Sequence, residues 1–207
     1  MPVQSGARST SGGQIWNLIA GLTLLHPRIG AIVNLSLGVS PEWVRGLGPQ
    51  AVGFKEALSN VLASLAARQN FAISAAGNDG LPDLRWPAAA PDSRAVGSHN
   101  PAFARSSFSN FRDDAQNLIL APGGDIRQMD GRIEGFGRYG KGLTRDVFGT
   151  SFSTAVTSAV ACLRMNYPWF RDMQARSRIS LFKNHCRRND QGFPILNVVD
   201  IGAVWPL

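Results

Sequence analysis

Two short runs constrain the fold more than anything else in the chain: "AIVNLSLG" at residues 31–38 and "FAISAAGN" at 71–78. Each is a brief apolar stretch rich in aliphatic side chains and broken by a glycine, which suits a strand covered on both faces. Between them, Phe54, Ala57, Leu58, Val61, Leu62 and Leu65 recur at helical spacing and predict an amphipathic helix over 54–68. A second helix is predicted over "IWNLIAGLTLL" (15–25), ended by His26-Pro27. Helix, strand, helix, strand, with strands apolar on both sides, predicts an α/β fold with a mostly parallel sheet flanked by helices.

Further along, Ala95–Gly97 and Leu118–Ala121 are strand candidates, and 123–147, rich in glycine and charge, predicts a loop or hairpin excursion. After Ser151 the chain runs through Ala, Val, Thr, Ser and Cys to Tyr167-Pro168, which predicts a helix suited to close packing. No repeat or linker divides the sequence, so residues 1–207 are expected to form one domain.

Composition removes several classes of function. Hydrophobic residues make up 44% and charged residues 17% of the chain, a globular balance. No apolar stretch approaches the ~20 residues needed to cross a bilayer. The opening "MPVQSGARSTSGG" has no apolar core of a signal peptide. With Met1 as the natural start, the expected location is cytoplasmic, away from membranes. A net charge of +7 raises nucleic-acid binding. Yet the arginines are scattered, apart from Arg171, Arg176, Arg178, Lys183, Arg187 and Arg188, a set that also reads as the solvated face of a helix. No stacking-aromatic or zinc motif accompanies them, so no nucleic-acid partner is expected. Cys162 and Cys186 form no ligand pattern, and His26, His99 and His185 lie far apart. Neither a metal nor a cofactor is expected.

Chemistry concentrates at "FGTSFSTAV", residues 148–156. Ser151 stands where a Gly-Thr turn enters a helix, and the unpaired N–H groups of a helix N-terminus favour negative charge developing nearby. Ser151 reads either as a nucleophile or as a helix cap. Asn78, ending "SAAGN", reads either as an outward amide donor or as a turn residue. In open α/β sheets ligands gather at the carboxyl ends of strands, which here are "SLG" (36–38), "AAGN" (75–78) and "APGG" (121–124).

Taken in order, "IVNLSLG", "AISAAGNDG", "WPAAAPDSRAVGS", "SSFSNF", "LILAPGGDI" and "GTSFSTA" resemble the second half of the subtilisin-like serine proteases, and "GFPILNVVDIGAV" resembles the family's closing segment. The resemblance runs from about residue 15 to 203. It implies the three-layer subtilisin-like fold, incomplete on its N-terminal side. It implies that Ser151 is the catalytic serine and Asn78 the oxyanion-hole asparagine. It further implies that Ser36, Leu37 and Gly38 pair with substrate backbone. With Ala75, Ala76 and Gly77 they would wall the primary specificity pocket. Nothing charged lies in those two segments, so an apolar substrate side chain is expected.

The triad order Asp, His, Ser requires two upstream motifs, Asp-Ser/Thr-Gly and His-Gly-Thr, and neither is present. Asp92-Ser93 lies in the wrong segment, "VVDIG" at 198–202 fits the closing segment, and His99 sits at an ordinary strand-to-loop position. Phe152, Ala155 and Val156 depart from the family's usual Met, Pro and His, which touches packing rather than proton transfer. A serine without a base is a poor nucleophile. The expected function is therefore a serine endopeptidase subunit or fragment acting on peptides or proteins. Its aspartate and histidine would come from another polypeptide or a missing segment. The alternative is an inactive peptide-binding module.

Overall fold

A computed structural model of the chain describes residues 11–113, 117–125, 133–136, 144–178 and 187–196. The helices α1 (Ser11–Leu24), α2 (Pro41–Gly46), α3 (Gln50–Ala67), α4 (Thr150–Arg164) and α5 (Pro168–Arg171) alternate with short strands. The strands are β1 (Ile32–Leu35), β2 (Phe71–Ala75), β3 (Ser93–His99), β4 (Leu118–Pro122), β5 (Ile133–Phe136), β6 (Thr144–Val147), β7 (Arg187–Arg188) and β8 (Pro194–Ile195). Six of them form one sheet in the order β1-β2-β3-β4-β8-β7, parallel except for the β7–β8 pair. The excursion after β4 contains the antiparallel hairpin β5–β6.

Side-chain alternation sorts the core into two layers. On β2, Phe71 and Ile73 face α4 and pack with Val96, Ile119, Val160 and Ala161. Ala72 points the other way, into a cluster with Phe54, Leu58, Leu62 and Leu65 of α3 and Leu22 of α1. The stripe on α3 thus buries as its spacing dictates, while Ala57 and Val61 at its border are half-buried. The result is helix, sheet, helix, the three-layer α/β arrangement the sequence implies.

β2 is buried at every position, but β1 is not. Val33 and Leu35 enter the α3 cluster, whereas Asn34 is exposed. The two-sided burial expected for this run fails because β1 is the edge of the sheet and pairs with β2 alone among the described residues. The face of α4 turned away from the sheet is bare as well. Thr150, Ser153, Thr154, Thr157, Ser158, Val160 and Ala161 are buried, while Ala155, Ala159, Cys162 and Leu163 are exposed.

The basic stretch near the C-terminus is a solvated helix face only in part: Arg171 and Arg176 are exposed helical residues. Arg178 is fully buried, and its guanidinium donates to the carbonyls of Phe170 (3.0 Å), Gln69 (2.7 Å) and Arg171 (2.5 Å). Arg176 pairs with Asp92 at 2.7 Å, and Arg187 and Arg188 form β7. Lys183, Cys186, His185 and the "VVDIG" segment lie outside the described residues.

Candidate active site

The junction that delivers Ser151 is built from backbone demands. Gly149 has φ 144°, a conformation L side chains rarely adopt, and its N–H donates to Gly123 O at 2.9 Å, tying the turn to the end of β4. Thr150 then opens α4. Its N–H and its hydroxyl both donate to Asn78 Oδ1, at 2.9 and 2.8 Å, and its hydroxyl oxygen accepts Gly77 N–H at 3.3 Å. One threonine therefore clamps the start of α4 to the loop after β2.

That clamp orients Asn78. A backbone N–H can only donate, so the atom facing Thr150 N must be the carboxamide oxygen. The Nδ2 group is turned away from it, beside Gly149, on an exposed residue, and no acceptor among the described residues takes its protons. Ser151 N belongs to the first helical turn, where amides lack intrahelical partners, and none is recorded for it among the described residues. Two unclaimed donors thus belong to neighbouring segments at the N-terminus of α4.

Ser151 is half-buried, and its hydroxyl donates to Ser36 O at 3.2 Å. In return, the Ser36 hydroxyl proton is shared between Ser151 O at 3.0 Å and Asn34 Oδ1 at 2.7 Å. Ser151 is therefore stapled to the segment leaving β1. No imidazole or carboxylate among the described residues bonds to its Oγ, and a backbone carbonyl cannot take its proton.

The other sequence candidates lie elsewhere. His99 ends β3, where its Nδ1 bonds to Asn100 O at 2.8 Å, its ring lies 5.4 Å from that of Phe103, and it is not bonded to Ser151. Burial holds its pKa below the ordinary histidine value. Asp92 stands ahead of β3, at the end of the sheet opposite Ser36 and Ser151, and is taken by Arg176. Ser36 and Leu37 are exposed and Gly38 half-buried just past β1, while Ala75, Ala76 and Gly77 are buried at the end of β2.

Three residues that sequence reasoning did not single out shape the site: Thr150, Asn110 and Arg85. Asn110 is fully buried and makes side-chain bonds to Asp79 N, Leu81 N, Asp79 Oδ2 and Asp83 O, locking the loop after Asn78. It sits in "SSFSNF", so the motif marked it without revealing its partners. Arg85 extends between Gly38 and Gly77. Among the described residues no group of His, Cys, Asp and Glu could hold a metal ion, and no helix is long and apolar enough to cross a membrane.

A family model for the subtilases matches residues 4–189. The chain belongs to the subtilase family. It is 29% identical to subtilisin from Bacillus pumilus over 176 residues, covering 83% of this chain and 56% of that protein. The self-cleaved protease domain of PatA superposes with a TM-score of 0.68 at 26% identity, over 90% of this chain and 66% of that one. The epidermin leader peptide processing protease EpiP from Staphylococcus aureus shares the fold, with a TM-score of 0.69 at 18% identity over 93% of this chain and 55% of that one. The chain thus spans little more than half the length of the subtilisin it matches.

Proposed function

We propose that this chain is the serine-bearing part of a subtilisin-like endopeptidase whose aspartate and histidine reside on another polypeptide or on a segment outside residues 1–207. The observation that carries the reading is the Thr150 clamp. It holds Asn78 Oδ1 against Thr150 and so leaves the carboxamide N–H₂ free beside Gly149, next to the residues that present Ser151. In this role Ser151 Oγ attacks the peptide carbonyl while a supplied histidine removes its proton, and a supplied aspartate orients that ring. The oxygen that gains charge is held by Asn78 Nδ2 and Ser151 N–H, a role supported by both being without other partners among the described residues. The histidine then protonates the leaving amine, and water releases the acyl group from Ser151 by the reverse steps.

The exposed outer face of α4, with Ala155, Ala159, Cys162 and Leu163, and the open edge of β1 are the surfaces such a complement would cover. The chain's +7 charge favours a net acidic one. The inactive peptide-binding reading draws on one fact: the only partner of Ser151 Oγ among the described residues is a carbonyl. Casein hydrolysis by the chain purified with its Asp/His-bearing complement separates the two. Hydrolysis that Ser151→Ala abolishes supports the peptidase, and peptide binding with no hydrolysis supports the module.

A further inference from the structure

Ser36–Gly38 and Ala75–Gly77, the two walls of the substrate pocket on the proteolytic reading, are joined by a third segment that contains a charge. Arg85 N donates to Ala76 O at 2.9 Å, and the next residue, Trp86, exchanges two backbone bonds with Val39, at 2.9 and 3.1 Å. Residue 85 is therefore fastened to both walls. Its side chain does not leave the gap. A methyl group placed on Gly38 would lie 3.0 Å from Arg85 Cβ, and one placed on Gly77 would lie 2.9 Å from Arg85 Cγ and 2.5 Å from Asn110 Nδ2. The aliphatic stem touches both glycines, with Asn110 beside it at Gly77.

The guanidinium is also committed. Nε donates to Asp79 Oδ2 at 2.8 Å and Nη2 to Asp79 Oδ1 at 2.6 Å, a bidentate fork, while Nη1 lies 3.5 Å from Gly38 O. Asn110 Nδ2 adds a third bond to Asp79, at 3.1 Å. The side chains of Arg85 and Asp79 remain 32% and 29% exposed, so the pair stays within reach of solvent and of a bound chain. We propose that Arg85 is the specificity-determining residue of this site. It closes the primary pocket so that the substrate residue before the scissile bond is glycine, alanine or serine. This rests on the proteolytic reading and replaces the larger apolar side chain that the uncharged walls alone suggest. Asp79 neutralises the arginine, so an acidic substrate side chain gains nothing unless that carboxylate is removed.

Product-like peptides test this without requiring turnover. Acetylated tetrapeptides ending in alanine, phenylalanine or glutamate are titrated calorimetrically against the protein, produced in its native host with whatever chain accompanies it. Fluorophosphonate labelling of Ser151 is measured on the same preparation. The alanine peptide should bind at least tenfold more tightly than the phenylalanine peptide. Arg85→Gly should reverse that order, and Asp79→Asn should improve binding of the glutamate peptide at least fivefold. If Arg85→Gly does not fold, Arg85→Ala replaces it, and the ranking in the unmodified protein already decides. Equal or tighter binding of the phenylalanine peptide there, or no binding of either, overturns the role of Arg85. An alanine preference without labelling leaves the closed pocket standing and retires proteolysis. Labelling without the preference does the opposite.

Discussion

Asn78 carries one carbonyl oxygen and one N–H₂, and Thr150 determines which of them faces the helix. On the proposed peptidase reading the free donor acts chiefly when the carbonyl oxygen gains charge, so Asn78→Ala should lower kcat while leaving KM and melting temperature nearly unchanged. Removing such a donor in subtilisin costs about 10²–10³ in kcat, and that borrowed figure sets the scale. Equal losses of activity and stability would instead mark Asn78 as a turn residue. Thr150→Val keeps the backbone bond to Asn78 Oδ1 but removes the hydroxyl one and leaves Gly77 N–H unpaired. A loss of about 1 kcal/mol in stability and about tenfold in kcat is expected from denaturant titration and steady-state kinetics. Asp79 adds a pH signature. The hydrogen bonds from Arg85 lower its pKa, burial opposes them, and the charge of Arg85 and a bond from Asn110 lower it further. A carboxyl depressed in the folded state stabilises above its unfolded pKa and loses that contribution as pH falls through the folded value. The melting-temperature gap between the parent and Asp79→Asn should therefore be full near pH 7 and close as pH drops below about 4.

Among the elements, α4 joins the chemistry to the fold. Small side chains let its inner face sit close on the sheet, and Thr154 and Thr157 return their hydroxyl protons to the carbonyls of Thr150 and Ser153, at 2.7 and 2.9 Å. Its outer face exposes Ala155, Ala159 and the free thiol of Cys162. If a complement covers that face, maleimide should modify Cys162 rapidly in the isolated chain and at least tenfold more slowly in the complex. Unchanged reactivity would place the complement elsewhere. On the opposite side of the sheet, Leu62 is fully buried in the α3 cluster, and Leu62→Ala should cost about 2–5 kcal/mol by chemical denaturation. α1, α3, α4 and β2 were legible because their apolar or small-residue patterns survive in the final packing, whereas the short α2 and α5 were not singled out. β1 was misread: the alternation of Asn34 and Ser36 with Leu35 and Leu37 already signalled one open face, but the glycine-closed run was read as fully apolar. The burial of Arg178 had no local signal, since the carbonyls it satisfies come from residues 69, 170 and 171.

At the scale of the molecule, the sequence marked the segments Ser36–Gly38 and Ala75–Gly77 together with Asn78 and Ser151, because each lies within one contiguous motif. It did not mark Arg85, whose place between Gly38 and Gly77 exists only once the Val39–Trp86 pairing brings three segments together. The open β1 edge and the outer face of α4 both lack cover among the described residues. An obligate interface of more than ~2,000 Å² is expected there. The central claim is that Ser151 is a nucleophile lacking only its base, and fluorophosphonate labelling with the adduct mapped by mass spectrometry tests it most directly. The complemented protein should label at Ser151 within minutes and lose the label in Ser151→Ala, while the isolated chain should label at least a hundredfold more slowly. Rapid labelling of the isolated chain, or no labelling of Ser151 once the Asp/His-bearing part is bound, would contradict the account.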